Sequence, residues 1–279
     1  MQFGVSTHLY HDARLDRDHL VEIAAHGFGA VEIFATRSHV DYHEPQVLDE
    51  LAGHLRDAGL RAHSVHAPIA GSLAGGVWSE PYSLAAADDA ARARAVGETL
   101  AALDAAAQLG AGFLVVHLGV PVAQQVDGRD NRRDQVLRSL EAVHARARAT
   151  GVRLALEIIP NRLSGPEQLV ELIDETLEAA DVGICLDSGH AFLQGDLVEA
   201  IEVVSGHLLT THLHDNRRRA DDHLVPFDGA IDWAEAAMTL RKVGYEGVWL
   251  FELAATDTPR RVLERAQAAR RRIERLLAV

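Results

Sequence analysis

Eight short apolar runs recur along the chain, and after each comes a longer segment of helical composition. This rhythm restricts the fold more than any other feature of the sequence. The runs are Gln2–Ser6, Ala30–Phe34, Arg61–His66, Phe113–His117, Arg153–Ile158, Val182–Asp187, Leu208–His212 and Val248–Glu252. Most are continuous rather than alternating, as expected of parallel strands covered on both faces. The helical segments cover residues 16–26, 45–59, 84–110, 131–150, 165–180, 196–205, 231–243 and 259–277. Gly59, Gly110 and Gly151 stand where helices should stop. "SGPEQLVELI" carries a cap, a proline near the first turn and acidic residues near the helix start. Val136, Leu140 and Val143 lie near helical spacing, which predicts one buried face for that helix. Eight β/α units in 279 residues fit an α/β fold, a single (β/α)8 TIM barrel occupying 1–279 as one domain. An open doubly wound sheet would require a glycine-rich phosphate loop after the first strand, and "GVSTHLYHD" is not one. No Pro/Gly/Ser linker or charge block divides the chain.

Composition narrows the class of partner. Hydrophobic residues make up 48% of the chain, ample for one large core, and the formal net charge is −14. No basic field invites nucleic acid or an anionic membrane. No apolar stretch approaches the roughly 20 residues of a membrane span. Cys185 is the single cysteine, so no internal disulfide can form. "MQFGVSTHLYHDARLD" lacks the pattern of a signal peptide, and a cytoplasmic location is expected.

The strand ends carry the chemistry. In a barrel they converge on one mouth, so a polar residue that closes an apolar strand points into the site. From the third strand to the eighth these residues are His66, His117, Glu157, Asp187, His212 and Glu252, with His190 three residues after Asp187. Carboxylates gathered this closely repel one another and lose solvation, and a divalent cation relieves both costs. Oxygen and imidazole donors without thiolate suit Mn2+, Mg2+, Co2+, Fe2+ or Zn2+. The segment "THLHDNRRRADDH" at residues 211–223 then forms one rim of the mouth.

Taken singly, each residue has a plainer role. His66 or His117 could be a hydrogen-bonded core histidine, and Asp187 or Glu252 a buried ion-pair partner. His63 is expected to be structural. His19, His26, His54 and His144 lie on helices and are expected at the surface. His8 could line the mouth without touching metal. His214 shares the parity of His212 but lies further out, as a substrate or supporting contact. Arg217 and Arg218 could face a phosphate or a hydroxyl cluster, or belong to a solvated loop. Trp78, in the loop after the third strand, could cap the site; Trp233 and Trp249 are expected to pack.

Together, "VHAP", "VHLG", "ALEIIPN", "ICLDSGHAF", "THLHDN", "DDHLVPFDGAIDW" and "GYEGVWLFEL" resemble, in this order, the xylose-isomerase-like TIM-barrel superfamily. That superfamily holds sugar phosphate isomerases and epimerases and the endonuclease IV group, and the resemblance covers nearly the whole chain. Similarity to the ketose 3-epimerase type implies one divalent metal held by Glu157, Asp187, His212 and Glu252. The two glutamates then act as acid and base through an enediolate, and His190 with Arg217 or Arg218 contacts substrate oxygens. Similarity to the endonuclease IV type adds His66, His117, His190, Asp221 and His223, which implies up to three zinc ions and phosphodiester hydrolysis. The nuclease-like reading meets three departures: Pro226-Phe227-Asp228-Gly229 after the D-x-H pair, "IIPN" after the glutamate strand, and no basic, aromatic insertion to penetrate DNA. The expected activity is therefore a metal-dependent isomerase or epimerase of a small carbohydrate-like substrate, phosphorylated or not. A multinuclear zinc phosphoesterase is the alternative. The resemblance also implies a homo-oligomer.

Overall fold

The computed structural model describes residues 1–124, 131–177 and 181–278. Eight parallel strands form the sheet: β1 (Gln2–Ser6), β2 (Ala30–Phe34), β3 (Arg61–His66), β4 (Phe113–Val116), β5 (Arg153–Glu157), β6 (Val182–Asp187), β7 (Leu208–His212) and β8 (Val248–Phe251). They lie where the apolar runs predict, with no end displaced by more than one residue. Neighbours pair in chain order, and β8 returns to pair with β1 along Gln2–Val5. Between β7 and β8 the strand pairing among the described residues is one bridge, Leu213 to Phe251. There the Leu213 amide donates to the Leu250 carbonyl (2.8 Å) and the Thr211 hydroxyl to the Val248 carbonyl (3.2 Å). The result is a nearly closed TIM barrel.

Around it run α1 (Arg17–Ala25), α2 (Pro45–Ala58), α3 (Asp89–Leu109), α4 (Arg133–Thr150), α5 (Pro166–Leu172), α6 (Ser188–Gln194), α7 (Leu197–Val204), α8 (Trp233–Lys242) and α9 (Pro259–Leu277). Gly59, Gly110 and Gly151 end α2, α3 and α4 at φ 69°, 69° and 74°, a left-handed turn that a side chain would strain. Val136, Leu140 and Val143 are buried, as their spacing predicts. Trp233 and Trp249 belong to the main apolar core.

Three differences from the sequence-based expectation have local causes. The helix expected from 84 starts at Asp89, because the Asp88 side chain caps it by accepting from the Ala91 amide (2.7 Å). Residues 84–86 are instead buried, with the Ser139 hydroxyl donating to the Leu84 carbonyl (2.7 Å). The helix expected over 165–180 leaves α geometry after Leu172 and continues as a wider π turn over Ile173–Leu177; residues 178–180 of that segment lie outside the described residues. Finally, α6 and a hairpin pairing Leu73–Ala74 with Val77–Trp78 carry too few residues for any periodicity to show.

Candidate active site

The C-terminal ends of the strands surround a cavity of ~250 Å³ at the mouth of the barrel. At its floor one donor atom each from Glu157, Asp187, His212 and Glu252 lies within 4.8 Å of the others, and all four residues are buried. The cluster follows from topology: β5, β6 and β7 are adjacent in the sheet, and the bridge to β8 brings Glu252 beside them. His212 Nδ1 lies 3.3 Å from Glu157 Oε1, 3.4 Å from Glu252 Oε2 and 4.0 Å from Asp187 Oδ2. Yet this buried nitrogen has no partner in hydrogen-bonding geometry. An unpartnered imidazole nitrogen aimed at three carboxylates is what a cation-binding centre requires, so the residues fit a divalent metal. The oxygen and nitrogen donor set suits a hard or borderline ion.

The remaining residues singled out in the sequence fall into two flanking groups. On one side His66 Nε2 and His117 Nε2 both donate to Glu157 Oε2, each at 3.0 Å. On the other, His190 Nε2 (3.0 Å) and His223 Nε2 (3.1 Å) donate to Asp221 Oδ2. Each group also brings three donor atoms within 4.8 Å of one another. Electrostatics follow from the crowding. Burial opposes ionisation of Glu157, but His117 and His212 hold its carboxyl well below the usual range. Burial opposes charge on His66 and His223 too, yet Glu157 and Asp221 push these imidazoles up to about 9. His223 takes φ 43°, a left-handed conformation uncommon for a residue with a side chain, fixed by its Nδ1 donating to the Glu252 carbonyl (3.2 Å).

The outer wall is aromatic. Trp78 reaches the cavity from the hairpin and stacks on His11 at 5.6 Å between ring centroids, with Phe34 edge-on to the indole at 6.3 Å. His8 lines the same wall, stacked on His11 at 4.4 Å.

Three other residues do not line the cavity. His214 is fully buried, donates through Nε2 to Asp187 at 2.9–3.0 Å, and brings a donor atom within 4.8 Å of those of His223 and Glu252. Arg218 lies against α6, over the Phe192 ring (4.5 Å) and hydrogen-bonded to the carbonyls of Phe192 and Gly195. Arg217 is exposed and donates to the Asp228 carbonyl (3.3 Å). The arginine triplet thus has no member on the cavity wall. His63 is structural, hydrogen-bonded to the Thr210 hydroxyl (2.9 Å) inside the barrel. On α4, His144 is half-buried and pairs with Asp181 at 3.1 Å.

Two functional-looking residues escape the strand-end rule. Glu32 sits in the middle of the buried run "AVEIF", where a charged residue in an apolar strand was the available signal. His11 lies in the loop after β1, in a stretch whose histidines show no spacing that would mark them.

The family model described as "Xylose isomerase-like TIM barrel" matches residues 20–278. The uncharacterized protein y4fM of Sinorhizobium fredii is 28% identical over 241 residues, 80% of this chain and 76% of that protein. D-psicose 3-epimerase of Enterocloster bolteae is 29% identical over 126 residues, 43% of this chain and 40% of that enzyme. Among solved structures, a D-tagatose 3-epimerase-like protein superposes with a TM-score of 0.80 at 24% identity, covering 100% of this chain and 97% of that one.

Proposed function

Because the chain belongs to the xylose isomerase-like TIM-barrel family, we propose that it is a divalent-metal-dependent isomerase or epimerase of a small carbohydrate. The observation that carries this reading is the buried cluster of Glu157, Asp187, His212 and Glu252, two of whose members can move protons. The partial similarity to D-psicose 3-epimerase supports the same reaction class.

Epimerisation removes a proton next to a carbonyl and returns one. When bound, a divalent cation held by these four residues would polarise that carbonyl and offset the mutual repulsion of the carboxylates. Glu157 and Glu252 are the acid/base pair. His66 and His117 occupy Oε2 of Glu157, which leaves Oε1 as the oxygen facing His212 and the cavity floor. His190 is fixed by its Nδ1 donating to the Ile158 carbonyl (3.0 Å), with its amide donating to Asp187 (2.6 Å), and lines the cavity where a substrate hydroxyl can reach it. Trp78, His11 and Phe34 supply a flat wall for the C–H face of a sugar. Arg217 and Arg218 do not line the cavity and have no part in this assignment, whereas His214 supports the proposed ligand Asp187 through its Nε2.

The test is proton exchange at the carbon next to the carbonyl in a panel of free ketoses in deuterium oxide. It is run on protein stripped with chelator and reloaded with Mn2+, Co2+, Mg2+ or Zn2+. Exchange that disappears on stripping and returns on loading is expected. A stripped protein that exchanges as fast as the loaded one would end the metal-dependent reading.

A second reading keeps a place because of a specific observation: the groups His66–His117–Glu157 and His190–Asp221–His223 could each hold a further ion. Three bound zinc ions together with cleavage of abasic DNA would favour a phosphoesterase.

A further inference from the structure

Glu32 is a carboxylate with no access to solvent, inside the barrel below the proposed metal centre. Its Oε2 accepts from His212 Nε2 (3.0 Å) and from the Ser64 hydroxyl (2.8 Å), and its Oε1 has no hydrogen-bond partner. A buried charge supported by so few donors is costly, and the same volume in apolar side chains would pack without that cost. The placement makes sense through His212. A neutral imidazole carries its proton on one nitrogen only, and the partner of that nitrogen decides which. With a cation bound and Nε2–H committed to Glu32, the lone pair would sit on Nδ1, the nitrogen that faces Glu157, Asp187 and Glu252. The ring is also held flat against His66, stacked at 5.7 Å and 18°.

We infer that Glu32 is a positioning residue of the metal centre: it fixes the tautomer and orientation of His212 so that Nδ1 is the metal-binding atom. The inference rests on the metal reading above and deepens it. A carboxylate behind a ligating histidine raises the basicity of the ring and holds its orientation, and loss of such a partner typically weakens metal binding about 10- to 100-fold. The full burial of Glu32, Ser64 and His212 means that no water competes for this hydrogen bond.

Two measurements test it. The first is the dissociation constant for Zn2+ or Mn2+ by competition with a chromophoric chelator, in the unaltered protein and in Glu32→Gln. The variant keeps the shape of the side chain and removes its charge. Its affinity should fall about 10- to 100-fold, with the thermal midpoint of the metal-stripped protein unchanged or raised. Equal affinities would overturn the inference and leave the metal reading intact, whereas an unaltered protein that binds no metal takes both down. The second needs no variant and so does not depend on Glu32→Gln folding: two-bond nitrogen-15 correlation of the imidazoles in the zinc-loaded protein. His212 should show a protonated Nε2 and a zinc-shifted Nδ1. A proton on Nδ1, or no zinc shift there, would show that Glu32 does not direct this ring.

Discussion

The indole Nε1 of Trp233 donates to Oδ2 of Asp215 at 2.9 Å, tying the start of α8 to the residue that directly follows His214. Asp215 is fully buried and also accepts from the amides of Asn216 and Ile231 on Oδ1 and of Phe227 and Gly229 on Oδ2, at 2.9–3.1 Å. One carboxylate thus organises the loop that carries Asp221 and His223 to the cavity. Replacing it leaves several buried N–H donors unmet, each worth about 1–3 kcal/mol and not additive. Asp215→Ala should therefore lose at least ~3 kcal/mol of unfolding free energy in urea, and Asp215→Asn less, since the amide oxygen still accepts. A loss under ~1 kcal/mol for the alanine variant would mean that the loop is held by other contacts.

Much of the site was legible in the sequence because a barrel converts position in the chain into position in space. The strand ends gather at one mouth, so Glu157, Asp187 and His212, which close their strands, and Glu252, which directly follows its own, needed only strand ends to be located. Glu32 was hidden because it faces the barrel interior two residues before its strand ends, where the rule about ends is silent. The arginines stayed open between the mouth and a solvated loop for a different reason. A loop's direction after the strand is set by contacts such as those of Asp215, and nothing in "NRRR" says that Arg218 will turn onto Phe192. His214, which shares the parity of His212, packs closely on Gly189 and holds Asp187 through its Nε2, the supporting contact among the two roles expected of it.

That packing yields a sharp expectation. A Cβ placed on Gly189 would overlap the His214 imidazole, whose Nε2 holds Asp187. Both partners are fully buried, so the ring cannot retreat without moving a proposed metal ligand. Gly189→Ala should reduce metal affinity at least tenfold and cost about 1–3 kcal/mol of stability, the usual range for overpacking. Metal titration followed by tryptophan fluorescence would read the first and urea unfolding the second. Unchanged metal affinity would show that Asp187 is held independently of His214.

Stability should also depend on pH through a histidine outside the cavity. His39 donates from Nδ1 to the Ala13 carbonyl (2.6 Å), while its Nε2 is buried without a partner. Burial pushes this imidazole down to about 4. The folded protein therefore holds His39 neutral where the unfolded chain, with an ordinary histidine near 6.5, takes up a proton. Unfolding binds more protons between these values, so stability falls as pH drops from about 6.5 towards 4. At about 1.4 kcal/mol per pH unit the window spans ~3 kcal/mol. Urea midpoints at pH 7 and pH 5 should separate less in His39→Gln than in the unaltered protein; an equal separation would assign the slope to other groups.

The acid/base assignment makes its own prediction. Glu252→Gln keeps an oxygen for the metal but no longer accepts a proton. It should lower proton exchange at the substrate carbon by about 100-fold or more, the usual contribution of a positioned base, while metal content stays near that of the unaltered protein. Exchange at the original rate would move the base elsewhere in the cavity.

The number of metal ions decides between the two functional readings, and His223 is where they part. In the isomerase reading His223 lines the wall, its ring stacked 3.9 Å from His214 and donating to Asp221 and to the Glu252 carbonyl. His223→Ala would then leave one ion per chain at Glu157, Asp187, His212 and Glu252, with a loss of turnover of about tenfold or less, as for a positioning contact worth ~1 kcal/mol. In the phosphoesterase reading His223 is a ligand of its own ion, with His190 and Asp221. Its loss would then remove one equivalent of zinc and nearly all activity. Elemental analysis of the two proteins after dialysis against zinc, paired with the ketose exchange assay, reads both quantities. A drop of one zinc per chain in the variant would set the isomerase reading aside, since a single four-ligand centre contains no ion that His223 could release.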